Sequence, residues 1–159
     1  MLAINIQIEF AKLSDATEIS QLSRDEIEFG LGWNYTAYKI IRIIRNKSKN
    51  IVIARYNGEL AGFGVMTYRK DQANLDLLAV KKDYRRIKVG TKLVLWLEKV
   101  ATTAGVSNVF VQLREKNTAA FSLYQNLGYQ KLDSLPGYYQ GIENAVLMAK
   151  SLRTMINAT

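Results

Sequence analysis

"LDLLAVKKDYRRIKVGTKLVLWLEKVATTAG", residues 75–105, changes its period half-way. Leu75, Leu77 and Ala79 alternate with Asp76, Leu78 and Val80 as in a strand, whereas Leu93, Val94, Leu97, Val100, Ala101 and Ala104 recur at helical spacing. Between them lies a basic turn: six of the twelve residues from Lys81 to Lys92 are cationic and one, Asp83, is acidic. A helix N-terminus offers unpaired backbone N–H groups and about half a positive charge, so strand, tight turn and helix in this order form an anion site. The donors run from Arg86 through Val89 to Thr91. Gly90 lets the backbone approach closely, and Arg85, Arg86 and Lys88 add charge. The spacing is neither that of a Walker loop nor a Rossmann G-x-G-x-x-G, so neither ATP nor NAD is suggested. A solvated basic turn between two core elements is the competing reading.

Outward from this stretch the chain punctuates itself clearly. Ile4, Ile6, Ile8 and Phe10 alternate with polar partners and predict a strand. "SDATEISQL" predicts a helix capped by Ser14 or Asp15, with Glu18 placed as in a capping box. A second helix is expected from near Thr36, after a loop "EFGLGWNYT". Asn57-Gly58 supplies the positive φ angles of a type I′ turn and predicts a hairpin within "IVIARYNGELAGFGVMTY". The helix over 92–104 ends at Gly105, "NVFVQLR" is a strand, and Asn117 caps a short helix that Gly128 ends. The tail predicts two strands joined by a loop containing Pro136-Gly137. The order β-α-α-β-β-β-α-β-α-β-β calls for an α/β (α+β) fold, a mixed sheet of six or seven strands flanked by about four helices.

The 159 residues suit one domain over 1–159, and 48% apolar composition is that of an ordinary soluble globule. No apolar run approaches the roughly 18 residues that span a bilayer, and the N-terminal strand pattern is not that of a signal peptide. A cytoplasmic protein without a membrane partner is expected. With no cysteine there is no disulfide, cysteine nucleophile or thiolate metal site; with no histidine there is no Ser-His-Asp triad and no familiar zinc motif. A base must be a carboxylate, a tyrosine, a lysine or ordered water, and no metal is expected. The net charge of +8 favours anionic partners. A nucleic-acid-binding module is disfavoured, because the aromatics do not interleave with the cations of 81–92.

"RRIKVGT" at 85–91 and "LREKNTAAFSLYQNLGYQ" at 113–130 together resemble the two coenzyme-binding segments of the GNAT superfamily of acyl-CoA-dependent N-acyltransferases. That signature is a strand, then Arg/Gln-x-x-Gly-x-Gly/Ala, then a helix; Arg85, Gly90 and Thr91 match it, and Lys88 stands where the first glycine is usual. A side chain there either strains the loop or adds a cation to the phosphate site. The closing "GYYQGIENAVLMAK" is similar to the branch that acetylates protein N-termini, especially the ribosomal-protein alanine acetyltransferases.

The resemblance implies direct transfer from acetyl-CoA to a primary amine: a peptide N-terminus, a lysine or a small amine. A CoA-binding sensor without turnover is the alternative. The implied cosubstrate contacts come from Leu78, Ala79 and Val80 on the strand, from the loop, and from Asn117, Ala120 and Tyr124. Backbone N–H groups at the end of the strand, Leu78 to Val80, freed by a splay from its neighbour, would meet the thioester and pantetheine, and Tyr124 is the implied acid for the departing sulfur. The family branch places a glutamate two residues ahead of an arginine; here that place is Gln112, ahead of Arg114. The base is therefore open between Asp76, expected on the face of Leu78 and Val80, another carboxylate, and water. Trp33, Tyr35, Tyr138 and Tyr139, with Gln112, are the expected acceptor side. Expected partners are the amine acceptor, a protein N-terminus or small molecule, with a homodimer allowed.

Overall fold

The computed structural model describes residues 5–28, 31, 32 and 34–153. Seven strands are β1 (Ile6–Phe10), β2 (Lys49–Tyr56), β3 (Glu59–Arg69), β4 (Gln72–Val80), β5 (Asn108–Arg114), β6 (Gln130–Tyr139) and β7 (Glu143–Ser151). Four α-helices are α1 (Ala16–Glu26), α2 (Ala37–Arg45), α3 (Val89–Thr103) and α4 (Thr118–Asn126), with short 3-10 turns at Leu13–Asp15 and Lys82–Ile87. The strands form one sheet in the order β1-β2-β3-β4-β5-β7-β6, antiparallel throughout except for β4 and β5. This is the mixed α/β architecture read from the sequence, in the same order of elements.

Two apolar layers hold helices on the faces. Val89, Leu93, Val94, Leu97 and Ala101 of α3 pack on Val52, Leu75, Val109, Val111 and Met148. On the other face Ile19 and Leu22 of α1 and Ile40 and Ile43 of α2 pack on Ile51, Ile53, Phe63, Val65, Leu77 and Ala79. Leu75 and Leu77 thus serve opposite layers, although strict alternation would put them on one face. The cause is a β-bulge. Met66 pairs with Leu75 and Val65 with Leu77, so Asp76 is an extra residue on β4. Asp76 accepts a hydrogen bond from Thr67 Oγ1, and Thr67 shares the face of Phe63 and Val65. The expectation that Asp76 shares a face with Leu78 and Val80 is corrected accordingly: the bulge turns it to the α1/α2 side, while Leu78 and Val80 pack against the α3 layer.

Most of the local signals act as read. Asn57 (φ +51°) and Gly58 (φ +83°) make the β2–β3 turn. Thr36 Oγ1 accepts from Lys39 N at 3.4 Å and Asn117 Oδ1 from Ala120 N at 3.0 Å, the two caps expected of those residue types. Two signals act differently. Asp15 does not cap α1 through its side chain; it accepts from Lys12 N at 2.8 Å and pairs with Arg55 at 2.7 Å. Pro136-Gly137 lies within β6 at an irregularity of register, and the β6–β7 turn is made by Gln140 (φ +55°) and Gly141 (φ +71°).

Gly62, paired with Val80, is where β3 backs the end of β4. A Cβ on Gly62 would lie 2.7 Å from the carbonyl oxygen of Ala79, a backbone atom that cannot swing aside. Gly62→Ala is therefore expected to destabilise the fold by about 1–3 kcal/mol, read from the urea midpoint at unchanged m-value.

Candidate active site at the parting of two parallel strands

The ladder between β4 and β5 runs only from Gln72–Asn108 to Leu75–Val111. Beyond it β4 continues to Val80 against β3, and β5 continues to Arg114 against β7. The bulge at Asp76 falls at the point of separation, so the two strands diverge and open a gap in the middle of the sheet. Lys81 N–H donates to Ala61 O at 2.8 Å, which fixes the alternation along β4. The N–H groups of Leu78 and Val80 therefore point away from β3 and into the gap.

Two cavities occupy the opening. The larger, about 300 Å³, runs from Leu78, Ala79 and Val80 past Arg85, Lys88, Gly90 and Thr91 to Asn117, Ala119, Ala120 and Leu123 of the α4 region. The smaller, about 100 Å³, lies deeper, between Asp76, Gln112, Arg114, Tyr124 and Tyr139. They abut at Glu26, Leu78, Asn117 and Ala120, which line both. The strand, the turn and the α4 segment singled out in the sequence thus meet around one opening.

The rim of the larger cavity is the basic turn. The 3-10 segment ends at Lys88, which takes φ +61° and ψ +35°, and α3 begins at Val89. The first amides of α3 have no acceptor within the helix and, with Arg85 and Lys88, make this rim electropositive. A Cβ on Gly90 would touch Leu123 at 3.4 Å and Val80 at 3.5 Å, so glycine keeps that wall open. Arg86 is exposed and outside the lining, and the Val89 side chain is fully buried in the α3 layer, leaving only its amide to the rim. Arg85 donates through Nε to Val80 O at 3.3 Å and through Nη2 to the Glu26 carboxylate.

In the smaller cavity Tyr124 is buried, its ring edge-on to Tyr129 at 5.3 Å. Tyr129 in turn donates to Glu98 Oε2 at 2.8 Å, and Lys150 pairs with the same carboxylate at 2.8 Å. Burial, with a lesser effect of Tyr139, pushes the Tyr124 phenol well above its ordinary range. It is held protonated, able to donate and unable to serve as a base at neutral pH. Burial also raises Tyr35, Tyr138 and Tyr139, and the Asp76 charge adds to the first two, so these phenols face the same carboxylate. Asp76 is engaged by Thr67, by Asn74 Nδ2 at 2.8 Å and by Lys49 at 3.5 Å. Gln112 and Asn74 exchange two hydrogen bonds of 3.0 Å across the last rungs of the β4–β5 ladder.

The segment that joins α1 to α2 is tied down from two sides. Glu28, buried, accepts from the amides of Asn34 and Tyr35 and holds the segment between α1 and α2. Gln140, in the β6–β7 turn, clasps the same segment: Gly32 N donates to Gln140 Oε1 at 3.0 Å, and Gln140 Nε2 donates to Gly32 O at 3.1 Å. Tyr139 lines the cavity with the Arg114 guanidinium 6.0 Å from its ring, whereas Tyr138 packs edge-on against Tyr139 and is half exposed. Trp33 lies outside the described residues.

A gap in the middle of the sheet with inward amides, an electropositive helix start and a buried phenol suits a long phosphorylated ligand whose reactive end reaches the phenol. The family model of the Acetyltransferase (GNAT) family matches residues 16–129. The chain belongs to the GNAT family. It is an acyl-CoA-dependent N-acetyltransferase, moving an acetyl group from acetyl-CoA to an amine. An N-alpha-acetyltransferase of Sulfolobus acidocaldarius is 28% identical over 162 residues, covering 94% of each chain. A ribosomal protein bS18-alanine N-acetyltransferase of Escherichia coli is 33% identical over 96 residues, 58% of this chain and 65% of that one. Among solved structures, the E. coli ribosomal-protein-S18-alanine N-acetyltransferase superposes with a TM-score of 0.81 at 22% identity, covering 93% of this chain and 94% of that one. The PaiA N-acetyltransferase of Thermoplasma acidophilum, in complex with coenzyme A, gives 0.78 at 21% identity, covering 93% and 99%.

For this GNAT chain the sequence missed Glu26, Ala119 and Leu123 as lining residues. Ala119 and Leu123 sit on the short helix already placed beside the site; Leu123 is three residues after Ala120 and four after Ala119, so helical spacing from Ala120 could have included them. Glu26 had no local signal, since only the packing of α1 over β4 brings it there. Lys88 in the left-handed region costs a non-glycine residue about 1–2 kcal/mol. Lys88→Gly is expected to raise stability by about 1 kcal/mol, read as a higher urea midpoint of the unliganded protein.

Proposed function

We propose that this GNAT enzyme acetylates the α-amine of a protein N-terminus, with acetyl-CoA lying along the parted strands. The acceptor class is supported by the similarity to an N-alpha-acetyltransferase over nearly the full chain. The observation that carries the site assignment is the parting of β4 from β5, which turns the Leu78 and Val80 amides toward a cavity ending at Tyr124. The residues fit the cosubstrate. Its diphosphate would be held by the α3 amides with Arg85 and Lys88, and its pantetheine arm by Val80 and the Asn117 side of the gap. Acetyl-CoA supplies the activated acyl group.

Leu78 N–H is then the donor to the thioester oxygen, where charge grows during transfer. Tyr124, kept neutral by burial, donates to the departing sulfur. The ammonium of the acceptor must shed a proton. Asp76 already receives three donors, from Thr67, Asn74 and Lys49, which occupy its carboxylate oxygens and fix it in place. Water relayed to solvent takes the proton, and Asp76 orients that water. The acceptor stands under the roof of the α1–α2 segment, against Tyr139 with Tyr35 and Tyr138 beside it.

The cosubstrate assignment is tested by thermal shift and thiol release. Acetyl-CoA is expected to raise the melting temperature by mass action, and Tyr124→Phe to lower kcat by roughly 10² or more with little change in CoA affinity. An unchanged rate would return Tyr124 to a packing role. An amine panel should show peptides with a free N-terminus turning over best.

The proton path is tested by pH. Relay through water predicts a rate that rises with pH toward the pKa of the amine, near 8 for an α-amine. Asp76→Asn should lower the rate while leaving that rise in place. Loss of an acid limb near pH 5–6 together with a fall of roughly 10² to 10⁴ in kcat/KM would instead make Asp76 the base. Gln112→Glu is expected to speed the reaction at neutral pH, because it restores a carboxylate to the strand facing Asn74.

A further inference from the structure

Three carboxylates bear on the two cavities, and each has a cationic partner. Asp76 has Lys49 at 3.5 Å, and Glu143, behind Arg114, has that guanidinium at 3.3 Å. Those pairs belong to the framework of the sheet. The third, Glu26, differs in where its partner stands. Its carboxylate lies at the junction of both cavities, and it is the one charged residue common to the two linings among the described residues. Its partner Arg85 stands on the electropositive rim of the larger cavity, with the Glu26 side chain 22% exposed and that of Arg85 55% exposed. The cation needed at the rim for an anion is thus the cation that neutralises a mostly buried carboxylate at the reacting end.

We infer that Glu26 is a shared carboxylate that couples the two substrates: a diphosphate at the rim draws Arg85 away, and the ammonium of the acceptor replaces it. The inference rests on the acetyl-CoA reading above. The Arg85 side chain is half exposed and held by hydrogen bonds to Val80 O and Glu26, so rotation of its χ angles can release both and swing the guanidinium toward the rim without moving the backbone. Guanidinium pairs with phosphate oxygens at least as well as with a carboxylate, and two oxygen acceptors of a diphosphate can be met at once. Glu26 and a diphosphate also repel each other across the junction. Once Arg85 has turned, an uncompensated and largely buried carboxylate is costly, and a cation that enters the small cavity relieves that cost. The arriving cation is a primary ammonium, the protonated form of the acceptor. Glu26 therefore makes acetyl-CoA binding the step that assembles the acceptor's cation site, and it selects amines that arrive charged.

The test is calorimetric binding of CoA and of a short peptide with a free N-terminal alanine, each alone and in the presence of the other, in wild type, Glu26→Gln and Arg85→Ala. In the wild type, saturating CoA should tighten the peptide by about tenfold, within the usual span of site-to-site coupling, and the N-acetylated peptide should show no such gain. Glu26→Gln should bind CoA at least about threefold more tightly, since repulsion and competition for Arg85 are both gone, while the peptide binds weakly with or without CoA. Arg85→Ala should weaken CoA yet bind the peptide without CoA nearly as well as the CoA-loaded wild type does. A merely structural Glu26 would not produce gains of affinity. Unchanged or weaker CoA binding by Glu26→Gln, coupling that survives in that variant, or no peptide binding by CoA-loaded wild type overturns the inference. Failure of wild type to bind CoA at all would overturn the acetyl-CoA reading with it, so the two failures are told apart by the wild-type CoA titration.

Discussion

A parallel pair of strands that cannot stay paired governs this molecule. β4 and β5 hold four rungs and then separate, each kept straight on its other side by an antiparallel neighbour. The parting leaves backbone amides without partners in the middle of a sheet, a cost that proteins retain where something else satisfies them. One extra residue, Asp76, sets the point at which this happens. The bulge does two further things. It hands Leu75 to the α3 layer and Leu77 to the α1/α2 layer, locking β4 to helices on both faces, and it turns a carboxylate toward the α1/α2 side. Fold stability and site geometry are therefore set by the same residue.

Electrostatics divides the opening into two regions. The outer cavity is bounded by the start of α3, Arg85 and Lys88, which suit an anion. The inner one is bounded by phenols that burial keeps neutral and by carboxylates with partners of their own. A chain without histidine has no side chain whose ordinary pKa lies near neutrality. The network around Asp76 fits this division: Thr67, Asn74 and Lys49 hold the carboxylate in place.

Much of this was legible in the sequence because it is local. The change of period between 75 and 105, the Asn57-Gly58 turn and the Asn117 cap each depend on a few neighbouring residues, and each formed as read. The bulge was not legible, because "NLDLLAV" alternates well enough on paper to hide one surplus residue, and only its pairing with β3 exposes it. The β6–β7 turn was misplaced for a related reason. Pro136-Gly137 advertises a turn, whereas Gln140 takes a positive φ that its side chain gives no sign of. Glu26 was invisible for the opposite reason, since 59 residues separate it from Arg85 and nothing local brings them together. Lys88 lies between these cases: the sequence raised the possibility of strain, and the left-handed backbone is what the turn demands.

The clasp between Gln140 and Gly32 carries a kinetic meaning. It is made of two hydrogen bonds at exposed positions, joining segments 108 residues apart. Exposed hydrogen bonds of this kind contribute roughly 0.5–1.5 kcal/mol each, so the clasp alone is released in on the order of one molecule in ten to one in a hundred, while Glu28 still holds the amides of Asn34 and Tyr35. Breaking and remaking two exposed hydrogen bonds belongs to the nanosecond-to-microsecond range, whereas opening a whole lid takes microseconds to seconds. The clasp is a latch: it lets go far more readily than the buried Glu28 anchor beside it, so the two ties on this segment differ in lifetime as well as in strength.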